Sequence, residues 1–453
     1  MSIDNSILWI QSTVVKRQLN LSTRTAARGE AKTTKKGLEM KHVVVIGAGV
    51  VGLSAAHHLL KDGAQVTLID KDPEGDKASF GNAGGIAVTE VIPASVPGIL
   101  WKVPGWLLDP LGPLALRPTY APKMIPWFWR FSQVGSAREV TRIAAALAAL
   151  NGRTYDDLLP MLADNGMSGE LHRKGALTVY ETEAAYLSDA GAWELKSQHG
   201  IEMTALTGEE VREMEPALSP SVKRGVFTPQ WSHINDPKRF VDLLRQSLLS
   251  KGLKIVRGEI TDVLPSLGNT SVTIKLKDSQ SLTADSVVVA AGAWSGLLAK
   301  RLGDHVLLES ERGYNTTIPN PGVSLSREVI FAERHFVATP LSCGLRIGGA
   351  AEFGGLEAEA NYKRSEALVK LASIYLPNLK SEGGKSWAGH RPATPDSLPV
   401  IGRSPHHSNV FYAFGHGHLG LTQAASTGRL VSDLVFGIKP AIDVTPYSIE
   451  RFH

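Results

Sequence analysis

Val43-Val44-Val45-Ile46-Gly47-Ala48-Gly49-Val50-Val51-Gly52 is the stretch whose reading decides the fold. Four β-branched residues in a row are expected of a strand buried on both faces, as in a parallel sheet. Working outward, residues 53–60 read as a helix closed by Gly63, and residues 65–69 read as a second strand ending in Asp70. Each residue of the turn has a mechanical task. Gly47 permits the tight turn, Gly49 lets a pyrophosphate approach the backbone, and Gly52 allows close packing of helix on strand. Amides and the dipole at the helix N-terminus favour phosphates. Asp70 stands 18 positions after Gly52, where a carboxylate can accept from both hydroxyls of an adenosine ribose. Alone, GxGxxG is a weak signal, because glycine-rich turns arise by chance. Strand, helix, second strand and terminal acid together make a dinucleotide site. The acid suits an unphosphorylated ribose, hence FAD or NAD rather than NADP.

Further pieces of such a domain come much later in the chain. Residues 236–250 read as a helix with Asp236 as N-cap and Pro237 in the first turn. Strand-like segments follow at 253–258, 260–264 and 271–276. A buried strand at 286–290 then runs into Ala291-Gly292-Ala293-Trp294-Ser295, where small residues let backbone approach a ligand. Near the C-terminus, Gly389-His390-Arg391-Pro392-Ala393-Thr394-Pro395-Asp396 precedes a strand at 410–413. Next come Gly415-His416-Gly417-His418-Leu419-Gly420 and a helix at 421–435. A glycine-rich loop again enters a helix N-terminus, whose amides suit the developing negative charge on a flavin's N1–C2=O edge. Each stretch, taken alone, also reads as an ordinary small-residue turn.

The GAGVVG unit, Ser79-Phe80-Gly81-Asn82-Ala83-Gly84, the GAWS stretch, GHRPATPDSLPVIG and GHGHLGLT occur in this order. Over residues 40–450 the chain resembles the FAD-dependent amino-acid oxidoreductases of the D-amino-acid oxidase class, most of all the D-amino-acid dehydrogenase small subunits. The resemblance implies an α/β chain (α+β overall). A Rossmann-type FAD-binding domain with a parallel sheet would be formed by residues 40–90, 233–304 and 386–453. A substrate domain with a mixed or antiparallel sheet would be formed by residues 91–232 and 305–385. It implies FAD as cofactor, with residues 79–86 under or beside the flavin ring. The candidate contacts are Gly47, Gly49, Val51, Gly52, Asp70, Lys71, Ser79, Asn82, Ala83, Gly84, Gly292, Trp294, Gly415, Gly417, His418, Leu419, Gly420 and Thr422.

An amino-acid substrate brings a carboxylate, which a planar guanidinium binds bidentately. Arg391, placed by the resemblance close to the active site, is the first candidate; the alternative is a structural ion pair with Asp396. Arg346 is the second. It alternates with Leu345 and Ile347 and so faces the opposite side of its strand, toward pocket or solvent. Tyr314 stands where the family has a tyrosine, and suits either a substrate hydrogen bond or a packed ring with its hydroxyl satisfied internally. His416 and His418 suggest acid–base chemistry near neutral pH or, equally, loop shaping. In the family resemblance, the glycine and D-amino-acid oxidases carry an arginine near a proline a few residues before the strand that carries Arg346. Here that stretch reads Val337-Ala338-Thr339-Pro340-Leu341, which favours the dehydrogenase-like branch. The 14 histidines show no HExxH or similar spacing, so no metal is expected.

The expected reaction is oxidation of the Cα–N bond of a small amino or imino acid, D-amino acids favoured, by hydride transfer to flavin N5. The imino acid gives a 2-oxo acid and ammonia, and the electrons pass to a quinone or another respiratory carrier. The alternatives are an oxygen-using oxidase or a dehydrogenase of glycine, sarcosine, hydroxyproline or an opine. A third is an FAD-binding subunit that works only within a heteromeric complex; the oligomeric state stays open.

Composition bounds the rest. At 453 residues the chain is too long for one ordinary domain. Its single Cys343 excludes an intramolecular disulfide and a multi-cysteine metal site. Lys plus Arg is 48 and Asp plus Glu is 44, so the net charge is +4. Residues 1–39 carry seven basic and three acidic residues, and 7 − 3 = 4 accounts for all of it. Nucleic acid therefore loses its compositional support. Residues 1–39 read as a disordered extension preceding a folded unit that starts at Met40, as a transit peptide, or as a binder of an anionic surface. Residues 91–131 hold four of nine tryptophans (Trp101, Trp106, Trp127, Trp129) and eight of 25 prolines, so they cannot form one helix. They read either as a wall of the substrate domain or as a peripheral contact with a membrane interface. A cytoplasmic location, with that contact on the inner face of the cytoplasmic membrane, is expected. Residues 137–162 read as a long helical stretch beside them.

Overall fold

The computed structural model describes residues 40–109 and 112–452, and the expectations for residues 1–39 lie outside the described residues. Strand β1, His42–Ile46, runs parallel to β2, Gln65–Asp70, on one side and to Ser286–Val289 on the other. Val43 stands opposite Val66 and Ser286. Lys254–Arg257 extends this sheet beyond β2, and Val410–Phe414 extends it at the other end, both parallel. Val400–Arg403 closes the six-stranded sheet as an antiparallel edge.

Both faces of β1 are buried because the sheet is covered on both sides, which is why its sequence is continuously apolar. Val43 and Val45 face a core shared with helix α1, Val50–Lys61, and with the long helix Gly420–Phe436. Val44 and Ile46 face a core built from the antiparallel strands Ile260–Pro265, Val272–Leu276 and Ser281–Ala284. The two helices touch closely at Gly428, where an added Cβ would lie 2.6 Å from the backbone of Ser54.

The second sheet has nine strands. Glu309–Ile318 pairs antiparallel with Lys385–Ala393 on one side and with Gly344–Phe353 on the other. The order continues through Phe336–Leu341, Glu328–Phe331, Ala176–Tyr180, Arg224–Thr228 and Thr204–Thr207, while Leu114–Leu116 pairs parallel with Gly344–Phe353. One face carries its own core, with helix Lys363–Tyr375 packed on it. Lys385–Ala393 corrects one expected boundary. It pairs along its length with Glu309–Ile318 and so belongs to this sheet, although residues from 386 onward were expected in the cofactor domain. The chain from Lys41 to His453 forms one compact unit that contains both sheets.

Residues 91–131 are partly wall and partly surface. Ile99–Leu108 is a helix with Pro104 inside it, and Ile125–Val134 is another. Trp127 is buried against Phe131 and Phe353, and its indole N–H donates to Ala393 O at 3.2 Å. Trp101 and Trp129 point outward, 90% and 65% exposed. The stretch 137–162 is two helices, Ala137–Asn151 and Thr154–Asp164, separated at Gly152-Arg153. Among the described residues no helix is long and apolar enough to cross a membrane.

Candidate active site

A cavity of about 960 Å³ runs from the glycine-rich turn after β1, along residues 79–87, to the cavity-facing side of the nine-stranded sheet. At the turn, Gly47 has φ +110°, and an added Cβ would sit 2.4 Å from Ala290 O. A Cβ on Gly52 would sit 2.0 Å from Gly47 O, so the helix seats on the turn itself. Gly49 has only Ser79 Oγ within 4 Å of such a Cβ, at 3.5 Å, and otherwise faces the cavity. Ser79 Oγ accepts from Val50 N at 3.0 Å and satisfies one amide of the α1 N-terminus.

Asp70 ties the turn to the end of β2. Its carboxylate accepts from Ala48 N at 2.7 Å, Asp72 N at 2.8 Å and Lys77 Nζ at 3.2 Å. A carboxylate offers about four lone-pair sites, so accepting from both ribose hydroxyls requires Lys77 to give up its place. Lys71 Nζ lies 4.6 Å from the Trp294 ring centre, and Trp294 meets His390 edge-on at 5.2 Å.

The loop at 79–84 is pinned by the second sheet. Arg346 donates to Phe80 O at 3.2 Å, to Asn82 O at 2.6 Å and to Thr317 Oγ1 at 2.9 Å. Asn315 Nδ2 donates to Gly81 O at 2.7 Å. Three consecutive carbonyls of the loop are therefore held by two side chains, while Asn82 Oδ1 accepts from Gly84 N at 2.7 Å. Trp387 stacks on Gly81, where an added Cβ would come within 2.1 Å of its ring.

Arg391 lies across Gly313, which has no side chain to obstruct it: a Cβ there would be 2.6 Å from the guanidinium carbon. Its Nη1 donates to Glu311 Oε1 at 2.7 Å, and both side chains are 26% exposed at the cavity. A guanidinium has five donors, so this bond leaves capacity for a carboxylate. Asp396, the alternative partner, is taken by Arg451 at 2.7 Å. His416 is buried, with Nε2 2.9 Å from Thr427 Oγ1, and burial pushes its pKa down to about 3. His418 faces the cavity; burial and the Arg391 charge lower its pKa, while Glu311 and Glu90 oppose them.

Sixteen of the expected site residues line the cavity: Gly47, Gly49, Val51, Asp70, Lys71, Ser79, Asn82, Ala83, Gly292, Trp294, Tyr314, Arg391, His416, Gly417, His418 and Gly420. Six do not. Gly52 packs on the turn, Gly84 and Gly415 set backbone direction at φ +99° and +83°, and Leu419 is core. Thr422 Oγ1 accepts from Ala87 N at 2.9 Å. Arg346, expected as a carboxylate clamp, is spent on the loop carbonyls. Tyr314 is buried with its hydroxyl donating to Glu352 and accepting from Asn361 N at 3.0 Å, so the packed-ring alternative describes it. The cavity also holds residues not foreseen from sequence: Glu311, Asn315, Trp387, Glu90 and Glu328. A cross-strand neighbour such as Glu311 stands opposite Arg391 across 80 positions of sequence, and only the Arg312-Gly313 pair hinted at a space there.

The family model described as FAD dependent oxidoreductase (DAO) matches residues 42–434. The chain belongs to this family. It is 37% identical to a D-amino-acid oxidase of Bradyrhizobium diazoefficiens over 91% of this chain and 99% of that protein. It is 30% identical to a D-amino acid dehydrogenase of Dechloromonas aromatica over 88% and 97%. Its fold matches glycine oxidase from Geobacillus kaustophilus, with TM-score 0.69 and 22% identity over 90% of this chain and 99% of that one. The protein is an FAD-dependent oxidoreductase with the mixed α/β fold of the family. The cavity fits the cofactor: Gly49 leaves backbone open to a pyrophosphate, and Trp387 Nε1 and Asn315 Oδ1 are buried polar atoms with no protein partner on the cavity wall.

Proposed function

We propose that the chain oxidises the Cα–N bond of a small amino acid, with D-amino acids favoured, to an imino acid that water converts to a 2-oxo acid and ammonia. The observation that carries this reading is Arg391, laid over Gly313 with one bond to Glu311 and its remaining donors available at the cavity. The relatives named D-amino-acid oxidase and D-amino acid dehydrogenase support the substrate class. Bound FAD supplies the two-electron acceptor. Arg391 holds the substrate carboxylate and so fixes the Cα–H. Residues 79–83, pinned by Arg346 and Asn315, form the floor against which the cofactor rests. The ammonium must lose a proton before hydride leaves Cα. His416 stays neutral and hydrogen-bonded to Thr427, so that proton goes to water in the cavity.

A quinone or another respiratory carrier takes the electrons in this reading, and the exposed Trp101, Ile125 and Trp129 make the peripheral membrane contact that such a carrier requires. The 37% identity to a protein named an oxidase favours a second reading, with oxygen as acceptor. Substrate-reduced protein, mixed in separate experiments with a soluble quinone and with air, tests the two. Fast reoxidation by quinone with little peroxide supports the first reading; stoichiometric peroxide at a rate matching turnover supports the second.

A further inference from the structure

Glu328 is a buried carboxyl in the cavity wall that the reaction above does not use. It opens the strand Glu328–Phe331, whose alternation sends Glu328 and Ile330 to the cavity and Val329 and Phe331 into the core. Its side chain is 3% exposed. Gly85 makes room for it, since an added Cβ there would lie 2.4 Å from Oε2. Trp231 Nε1 donates to the same oxygen over a long 3.4 Å.

Three other carboxylates that line the cavity each have a cation. Asp70 has Lys77, Glu90 has Lys196 at 2.7 Å, and Glu311 has Arg391. Among the described residues Glu328 has no ion-pair partner. Burial accordingly pushes its pKa up to about 7. Sheet order separates the groups along the wall. Arg391 is on the edge strand Lys385–Ala393, and Glu328 is on the fourth strand from it. Glu328 is thus at the end away from Arg391, flanked by Ile330, Val337 and Trp231. Apolar walls ending in a buried acid suit an aliphatic chain that ends in a cation, because the ammonium supplies the charge the carboxylate lacks and the methylenes cover the walls.

We propose that Glu328 forms an acidic subsite of the substrate chamber and takes the terminal ammonium of a cationic amino-acid side chain. This rests on the reading in which Arg391 holds the substrate carboxylate. The test uses the FAD-loaded full chain and calorimetry at pH 7.5. The ligands are ω-aminoalkanoates of four to eight carbons and the matching alkanoates, none of which has an α-amino group to oxidise. At one chain length the amino acid is expected to bind about 10- to 100-fold tighter than its alkanoate. Glu328→Gln is expected to remove that advantage while changing alkanoate binding by less than about 3-fold. Equal binding at every length in the unmodified protein overturns the subsite, with no variant required. So does an advantage that survives Glu328→Gln, or a variant that shifts the flavin spectrum and leaves the ligand ratio alone. Arg391→Met separates the two readings. Weaker binding of both ligand series supports the clamp. Unchanged alkanoate affinity rejects the clamp and leaves the Glu328-dependent ratio to judge the subsite by itself.

Discussion

Arg391 and Gly313 form one device: the guanidinium reaches its place only because residue 313 has no Cβ. Arg391→Ala removes the carboxylate's partner and leaves Glu311 uncompensated. It is expected to lower kcat/KM by about 3 kcal/mol, roughly 100-fold, chiefly through KM; unchanged steady-state kinetics would reject the clamp. The same residue scale separates what was legible from what was not. Arg391 was visible because a motif surrounds it. Glu311 was not, because its meaning comes from a strand 80 positions away. Arg346 was misread for a related reason. Alternation told which side of the strand it faces, but not that the carbonyls of Phe80 and Asn82 wait there.

At the scale of elements, the turn between β1 and α1 and the pinned loop at 79–84 are separate cofactor supports with separate tests. Gly49→Val places a branched side chain on backbone that is open to the cavity, and the purified variant is expected to carry no flavin; stoichiometric FAD in it would contradict the phosphate site. Arg346→Leu leaves buried carbonyls of the loop without donors, and is expected to weaken FAD binding by about 10-fold or more, measured by flavin fluorescence on dilution. FAD affinity equal to that of the unmodified protein would show that the pinning is not needed. Helix packing makes its own prediction. Gly428→Val forces the Gly420–Phe436 helix away from Ser54 and is expected to cost about 1–3 kcal/mol in urea unfolding. The inner strands of the cofactor sheet were legible as short apolar runs, β-branched in His42–Ile46 and Ser286–Val289 and aromatic in Val410–Phe414, whereas the edge strand Val400–Arg403 was not read as one. Nor was Lys385–Ala393, since its Ser, Trp, Gly and Arg carry no strand period and pairing with Glu309–Ile318 alone makes it one.

At the scale of the molecule, burial of neutral histidines sets the response to acid. Burial pushes His57, His233 and His390 down to about 4 and His58 and His416 down to about 3. The unfolded chain titrates these groups near 6.5 and therefore binds more protons between that pH and 3–4. Stability is lost as pH falls through this window, by up to about 1.4 kcal/mol per unit for each histidine. Glu328, raised to about 7, works the other way between 7 and 4.5. So do the carboxyls of Glu309 and Asp433, whose pKa values burial also raises; the five histidines, joined by His418, carry the larger summed shift. The Tm of the FAD-loaded protein is expected to drop steadily from pH 6.5 to 4.5; a flat or rising Tm would contradict the neutral assignment. The cofactor sheet was legible from its motifs, a dinucleotide signature at one end and a glycine loop at the other, whereas the second sheet was expected only from the family resemblance. The cavity between the sheets was not legible, since its far wall is made of residues whose sequence neighbours face the core. The central claim is that this cavity holds FAD and brings an amino acid to it. The most direct test is anaerobic addition of D- and L-amino acids, sarcosine, hydroxyprolines and opines to the purified flavoprotein, followed by visible absorption. Bleaching of the flavin band by at least one D-amino acid, needing about 100-fold more substrate for the same rate in Arg391→Ala, is the predicted result. A flavin that is bound, reducible by dithionite and bleached by none of these compounds would contradict the account.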